Sequence, residues 1–346
     1  MGVNESVTNW QITLLSISLF QRLSRQYKHF SATVKNWRRN LRPANPLFCA
    51  AFDLHRSSIH PRFSRSNRTV VCAAEKMKVA VTGASGRTGS IIARKLREQQ
   101  SKFDPVAVVR SESSRNALIQ SGYDDGSVFA VDISSGTKDL EKSFEGCDTV
   151  ILTTSGVPKL VPLSMFGVIW GKIRGEKVMP DFSWKGDMSP ETADWIGGKN
   201  QIDAAKAAGV KRFIWVGSMG GTDPDNNLNK LGDGNILQWK RKGEEYLIQS
   251  GLEYTIIHPS GLGTDKGGER EIRVGVDDEL YKLEERRINR EDVAEACVQC
   301  VLIDEAANRA FDISSIPGAP NLDMAVLLKG MEANCDYTIN SQLDAK

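Results

Sequence analysis

The chain has 346 residues, 40% hydrophobic and 25% charged, with a formal net charge of +2. That composition is ordinary for a soluble globular protein of one large or two modest domains, and six scattered cysteines exclude a disulfide framework. The near-neutral total hides an asymmetry: residues 1–74 hold eleven Lys or Arg and two acids, leaving 34 basic and 41 acidic residues for the rest.

A basic, Ser/Thr-rich, acid-poor leader is the composition of an organelle transit peptide. The expected division is therefore a transit peptide over 1–76, a domain over 77–335 and a tail over 336–346, with Cys72-Ala-Ala74 as a processing region. Two rival readings of the leader remain open. Met1–Ser6 fits an N-myristoylation pattern, and a basic arm suits nucleic acid, although no reader motif accompanies it. Trp10–Phe20 is apolar but too short to span a bilayer.

After the leader, strand and helix patterns alternate. Val79–Val81 reads as a buried strand, and Gly83, Gly86 and Gly89 follow it. Next, Ile91, Ile92 and Leu96 recur at helical spacing. Strand, glycine turn, helix is the context of a dinucleotide site, because a helix N-terminus presents free N–H groups and partial positive charge to a pyrophosphate. Strands follow at Val106–Val109, Val128–Val131, Thr149–Leu152, Phe213–Val216, Tyr254–Ile257 and Ala310–Ile313. Helices are predicted over Ser113–Gln120, Lys138–Phe144, Glu191–Ala208, Ile236–Ile248, Arg290–Ile303 and Asn321–Met331. This alternation predicts an α/β fold, a doubly wound, mainly parallel Rossmann sheet with helices on both faces. Three long loops, Thr154–Pro190, Gly217–Asn235 and His258–Glu271, leave the carboxyl ends of strands and are expected to meet at one cleft.

The residue ending strand two selects the cofactor. An NAD site holds the ribose hydroxyls with Asp or Glu there. This chain has Arg110, whose guanidinium suits the 2′-phosphate of NADP(H). Arg87 is expected to reach the same side. The predicted cofactor set is Gly83, Ser85, Gly86, Arg87, Thr88, Gly89, Arg110, Asp132, Ile133, Thr153, Lys240 and Pro259. Asp132 alternatively caps the next element. Cys297 and Cys300 lack the further ligands of a metal site and read as buried thiols on one helix face; no metal is expected.

Thr82-Gly-Ala-Ser-Gly-Arg-Thr-Gly89, Trp195–Gly209, Val216-Gly-Ser-Met-Gly-Gly221, Trp239-Lys-Arg-Lys242 and Thr255-Ile-Ile-His-Pro-Ser-Gly-Leu262 resemble plant NADP-binding proteins of the atypical short-chain dehydrogenase/reductase group, which are distantly similar to flavin reductases and NmrA-like proteins. The resemblance covers about residues 77–335. It implies a single Rossmann domain and favours the plastid stroma over a mitochondrial or cytoplasmic location. Typical members of the superfamily use Ser, Tyr and Lys, the last two as Tyr-x-x-x-Lys. Here Ser218 and Lys240 stand where the Ser and Lys belong, but Ile236 lies four residues before Lys240 and Gln238 four before Lys242. The proton-relay tyrosine is missing. His258 is the candidate acid, with a packing role as the alternative.

In the loop 154–190, Met165, Phe166, Trp170, Met179, Phe182 and Trp184 line an acceptor pocket, form a partner surface or anchor the loop. The basic residues beside them, Lys159, Lys172, Arg174, Lys177 and Lys185, attract an anionic ligand or are simply solvated. Two functions are carried forward. One is an NADPH-dependent oxidoreductase acting on a small acceptor; the other is a non-catalytic NADP-binding redox sensor or plastid assembly factor. Neither reading involves nucleic acid or stable membrane insertion.

Overall fold

Among the described residues ten strands hydrogen-bond into one sheet, side by side in the order β3 (Val128–Ala130), β2 (Phe103–Val109), β1 (Met77–Thr82), β4 (Thr149–Leu152), β7 (Arg212–Val216), β8 (Glu253–Pro259), β12 (Arg309–Ile316), β11 (Arg287–Asn289), β9 (Gly261–Gly263), with β10 (Glu271–Gly275) paired to β12. The computed structural model describes residues 75–339 except 177, 179, 185 and 186. The leader readings, Lys177, Met179 and Lys185 lie outside the described residues.

The central strands are β1 (Met77–Thr82), β2 (Phe103–Val109), β4 (Thr149–Leu152), β7 (Arg212–Val216) and β8 (Glu253–Pro259), each parallel to its neighbour. Their apolar runs are unbroken because both faces are covered. On one face Val79 and Val81 pack with Ile92 and Leu96 of α1 (Gly89–Glu98). The same cluster includes Val293, Cys297 and Cys300 of α7 (Arg290–Leu302). On the other face Ala80, Val150 and Trp215 pack with three helices: Leu140 of α3 (Lys138–Ser143), Ile202 of α5 (Gly197–Ala207) and Leu247 of α6 (Ile236–Gln249). The remaining parallel edge is β3 (Val128–Ala130), reached through α2 (Glu112–Gln120). Cys297 and Cys300 are fully buried, as their spacing on one face predicted, and burial holds both thiols up, Cys300 to about 12.

The long central helix is continuous, as expected, but does not begin as an α-helix. Glu191–Ile196 forms one π-helical turn before α5 begins. Glycines at 198 and 243 make close packing possible here, since a Cβ on either would collide with the Trp215 indole.

Two segments expected as loops carry structure. Residues 154–190 contain the antiparallel pair β5 (Pro158–Leu160) and β6 (Phe182–Trp184) around α4 (Ser164–Arg174). Beyond His258 come β9 (Gly261–Gly263), β10 (Glu271–Gly275) and β11 (Arg287–Asn289). β10 and β11 pair antiparallel with the far half of β12 (Arg309–Ile316), closing the sheet edge. The last helix, α8, is shorter than predicted, Met324–Lys329. The chain after 335 does not leave the body at once: the Asp336 amide donates to Asp277 at 2.7 Å, and the Tyr337 hydroxyl donates to Glu244 at 3.1 Å.

Candidate functional site

The turn after β1 holds Gly83 at φ +74°, a conformation glycine adopts freely, and the Gly86 amide donates to the Gly83 carbonyl at 2.7 Å. A Cβ on Gly89 would strike the Gly83 carbonyl and Thr153 Oγ1, so the turn and β4 close on each other only with glycine there. Thr153 is held in place by its hydroxyl, which donates to the Thr82 carbonyl at 2.6 Å. α1 starts with no side-chain cap and no acid in its first turn. The Ser90, Ile91 and Ile92 amides already donate to the Gly86 and Thr88 carbonyls, so the amides offered to an anion are those of Arg87, Thr88 and Gly89, which line the groove above the sheet.

That groove has two halves. The first, about 550 Å³, is lined by Gly83, Ser85, Gly86, Arg110, Ile133 and Thr153 among others. The Arg110 side chain is exposed there. Beside it Ser111 caps α2, accepting from the Ser114 amide at 3.3 Å, and Ser111, Ser113 and Ser114 also line this half. These hydroxyls escaped the sequence reading because Ser-x-Ser-Ser after a strand reads first as a helix cap. Asp132 does not line it. The carboxylate is exposed and accepts from the Ser134 amide at 2.9 Å and hydroxyl at 2.7 Å, closing a local turn and not capping the helix that follows at Lys138.

The second half, about 630 Å³, is lined by Gly86, Arg87, Thr88, Gly89, Thr153, Ser218, Lys240 and Pro259. All three long loops contribute to it, through Ser155–Pro158, Ser218, Leu228 and Pro259–Leu262. Arg87 thus lines a different half of the groove from Arg110, a departure from the expected shared side.

Lys240 is buried, and its ammonium donates to Asp194 Oδ1 at 2.7 Å. The other Asp194 oxygen accepts from the Gly156 amide at 2.9 Å. The π turn thus delivers a carboxylate that locks Lys240 and ties down the loop leaving β4. Two donors remain on the ammonium for a ligand in the groove. Ser218, half-buried, donates to the Met219 carbonyl at 3.0 Å, a bond that rotation of its hydroxyl readily exchanges. No tyrosine stands four residues before Lys240; Tyr246 on the same helix donates to Asp203 instead. Tyr281 does line this half, brought in by the chain between β10 and β11. Burial raises its phenol above the ordinary range, so it stays protonated.

His258 is not on the cleft wall. It is 4% exposed, with Nε2 3.1 Å from Glu244 and Nδ1 3.2 Å from Asp312, both buried. Burial alone would pull its pKa down. The Glu244 charge and the bond to Asp312 outweigh this, and the imidazole titrates well above 6.5. Glu244 is correspondingly held below its ordinary range by the imidazolium, against its own burial, whereas burial raises Asp312. Both ring nitrogens of His258 are thus engaged by buried carboxylates, and Tyr337 and Cys335 pack at the ring. The partners that decide this come from α6, β12 and the C-terminal segment, none visible from the sequence near His258.

The loop aromatics line neither half of the groove. Trp184 anchors its loop, donating from Nε1 to the Gly232 carbonyl at 3.2 Å, while Phe166 and Trp170 on α4 face solvent. Among the described residues no helix is long and apolar enough to cross a membrane.

A family model described as NAD(P)H-binding matches residues 83–304. The chain is 47% identical over 255 residues to a sanguinarine reductase of Eschscholzia californica, covering 71% of this chain and 91% of that protein. It is 44% identical over 275 residues to an uncharacterised chloroplastic protein of Arabidopsis thaliana, covering 77% and 81%. In fold it is similar to a Bacillus halodurans protein described as an NAD-dependent epimerase/dehydratase, with a TM-score of 0.54 at 22% identity over 74% of this chain and all of that one.

Proposed function

This chain belongs to the NAD(P)H-binding family within the atypical short-chain dehydrogenase/reductases, and on that premise we propose that it is an NADPH-dependent reductase of a small electrophilic acceptor, working in the plastid. The observation that carries the reading is the second half of the groove. It brings Ser218 and the Asp194-locked Lys240 beside the glycine turn without a tyrosine four residues before that lysine, the tyrosine present being Tyr281 from the chain between β10 and β11.

Bound NADPH supplies the hydride. The chain's own residues explain what surrounds it. The cap-free start of α1 and the glycine turn accept the phosphates. Arg110 and the serines beside it favour the 2′-phosphate, and so NADPH over NADH. Lys240, fixed by Asp194, holds the nicotinamide ribose, and Ser218 hydrogen-bonds the acceptor. Residues from all three loops line the space around it. An acceptor that is already cationic becomes neutral on receiving a hydride and needs no proton from the protein. That requirement agrees with the missing tyrosine and with a histidine turned inward. The name of the Eschscholzia relative makes sanguinarine the first compound to try.

The test is NADPH consumption by the full chain against sanguinarine, quinones, flavins and enals. Turnover with at least one of them is expected. No consumption above background, together with tight NADPH binding, would favour the other reading, a non-catalytic NADP-binding protein. A transit peptide over 1–76 remains part of the proposal, tested by plastid import and by the N-terminus of the imported protein.

A further inference from the structure

Arg290 opens α7 and is 8% exposed, yet among the described residues its guanidinium meets no carboxylate. Of the other two buried arginines among the described residues, Arg212 is ion-paired with Glu253, and Arg241 donates to the Asp336 carbonyl and lies over the Tyr337 ring. A buried cation is ordinarily paired. Arg290 Nη1 donates to the Leu262 carbonyl at 3.2 Å and the Gly263 carbonyl at 2.9 Å. These two bonds fix the fork and leave its other edge for the groove, which Arg290 lines together with Arg87, Thr88 and Gly89.

The charge facing Arg290 has the same sign. Burial lowers its pKa and the Arg87 guanidinium lowers it further. Arg87 itself is exposed and has no acidic partner among the described residues. The start of α1 beside Arg87 carries no acid, and of the two acids in the first turn of α7, Glu291 pairs with Arg94 and Asp292 accepts from the Gly268 amide. Like charges held together without a counter-charge are unfavourable until an anion arrives. Arg110, in the other half of the groove, is not part of this pair.

We infer that Arg290 and Arg87 form a two-armed clamp for the cofactor's pyrophosphate, closing over it from the α7 side while the α1 amides hold it from below. The inference rests on the dinucleotide reading of the groove and adds a site residue from the far end of the domain. It divides the anion recognition in two. The clamp reads the pyrophosphate common to both nicotinamide cofactors, and Arg110 reads the 2′-phosphate that separates them.

Equilibrium binding to the full chain tests it, with NADPH, NADH and adenosine 2′-monophosphate as probes. Arg290→Gln is expected to weaken NADPH and NADH by the same factor, about tenfold or more, and to leave adenosine 2′-monophosphate unchanged. Arg290→Lys should recover part of the loss. Arg87→Gln, at an exposed position that does not threaten folding, should weaken both dinucleotides equally. Binding of both within about twofold of the wild type in the Arg290→Gln and Arg87→Gln chains would overturn the clamp. A loss confined to NADPH would overturn it too, by assigning these arginines to the 2′-phosphate. If the wild-type chain bound neither dinucleotide, the cofactor reading itself would fall, an outcome distinct from failure of the clamp.

Discussion

Replacing Arg110 by Asp tests cofactor choice at a single position. Arg110 ends β2 with its side chain exposed in the first half of the groove, beside Ser111, Ser113 and Ser114. A hydrogen bond to a charged group contributes about 1.5–3 kcal/mol, and exposure places Arg110 toward the lower end of that range. Losing it weakens NADPH roughly tenfold to thirtyfold. The introduced carboxylate adds repulsion of about 1 kcal/mol at 4 Å in a water-like dielectric, a further factor of roughly five. NADPH affinity is therefore expected to fall about 50- to 150-fold. NADH lacks the 2′-phosphate, and its ribose hydroxyls gain an acceptor, so its affinity should hold or rise. Fluorescence titration of both cofactors on wild type and variant, at matched low salt, reads the ratio. Equal losses for NADPH and NADH would refute the assignment of Arg110 to the 2′-phosphate.

Asp194→Asn leaves Lys240 buried without its counter-charge, and breaking such a pair costs about 3 kcal/mol, roughly 6–12 °C in Tm by calorimetry; an unchanged Tm would mean the pair is solvated and Lys240 free. Gly89→Ala drives a Cβ into the Gly83 carbonyl and Thr153, so both stability and dinucleotide affinity should fall, and full retention of binding would contradict the turn geometry. His258 has a raised folded pKa, so its stabilisation is complete below about pH 6.5 and is lost as pH rises through the higher folded value. Denaturant midpoints of wild type and His258→Asn should therefore converge toward alkaline pH, and a gap that widens there would sink the buried-imidazolium account. Tyr281→Phe should leave reduction of a cationic acceptor within about threefold, since no proton is needed; a collapse of turnover with that acceptor would contradict the proton-free reading.

The parallel core was legible because its information is local. Unbroken apolar runs such as Val79–Val81 and the glycines after them specify buried strand, turn and helix without knowledge of partners. Lys240 and Ser218 could be placed from their positions on α6 and after β7, and both line the groove. What was illegible depends on partners distant in sequence. β10 is short and charged, and only its antiparallel pairing with β12 makes it a strand. The π turn that turns Asp194 toward Lys240 reads in sequence as part of a plain helix. His258 lies beside the loop that closes the groove, yet Glu244, Asp312 and Tyr337 draw it inward. Arg290 looks like an ordinary first-turn residue until burial beside Arg87 sets it apart.

The central claim is that the groove uses the NADPH it holds. Single-turnover mixing of the full chain with nicotinamide-deuterated NADPH and sanguinarine tests it most directly, read by mass spectrometry of the product. The account predicts one deuterium transferred to the reduced acceptor, at a rate that Ser218→Ala and Tyr281→Phe lower only modestly. Tight NADPH binding with no deuterium in this or any other acceptor of the panel would contradict it.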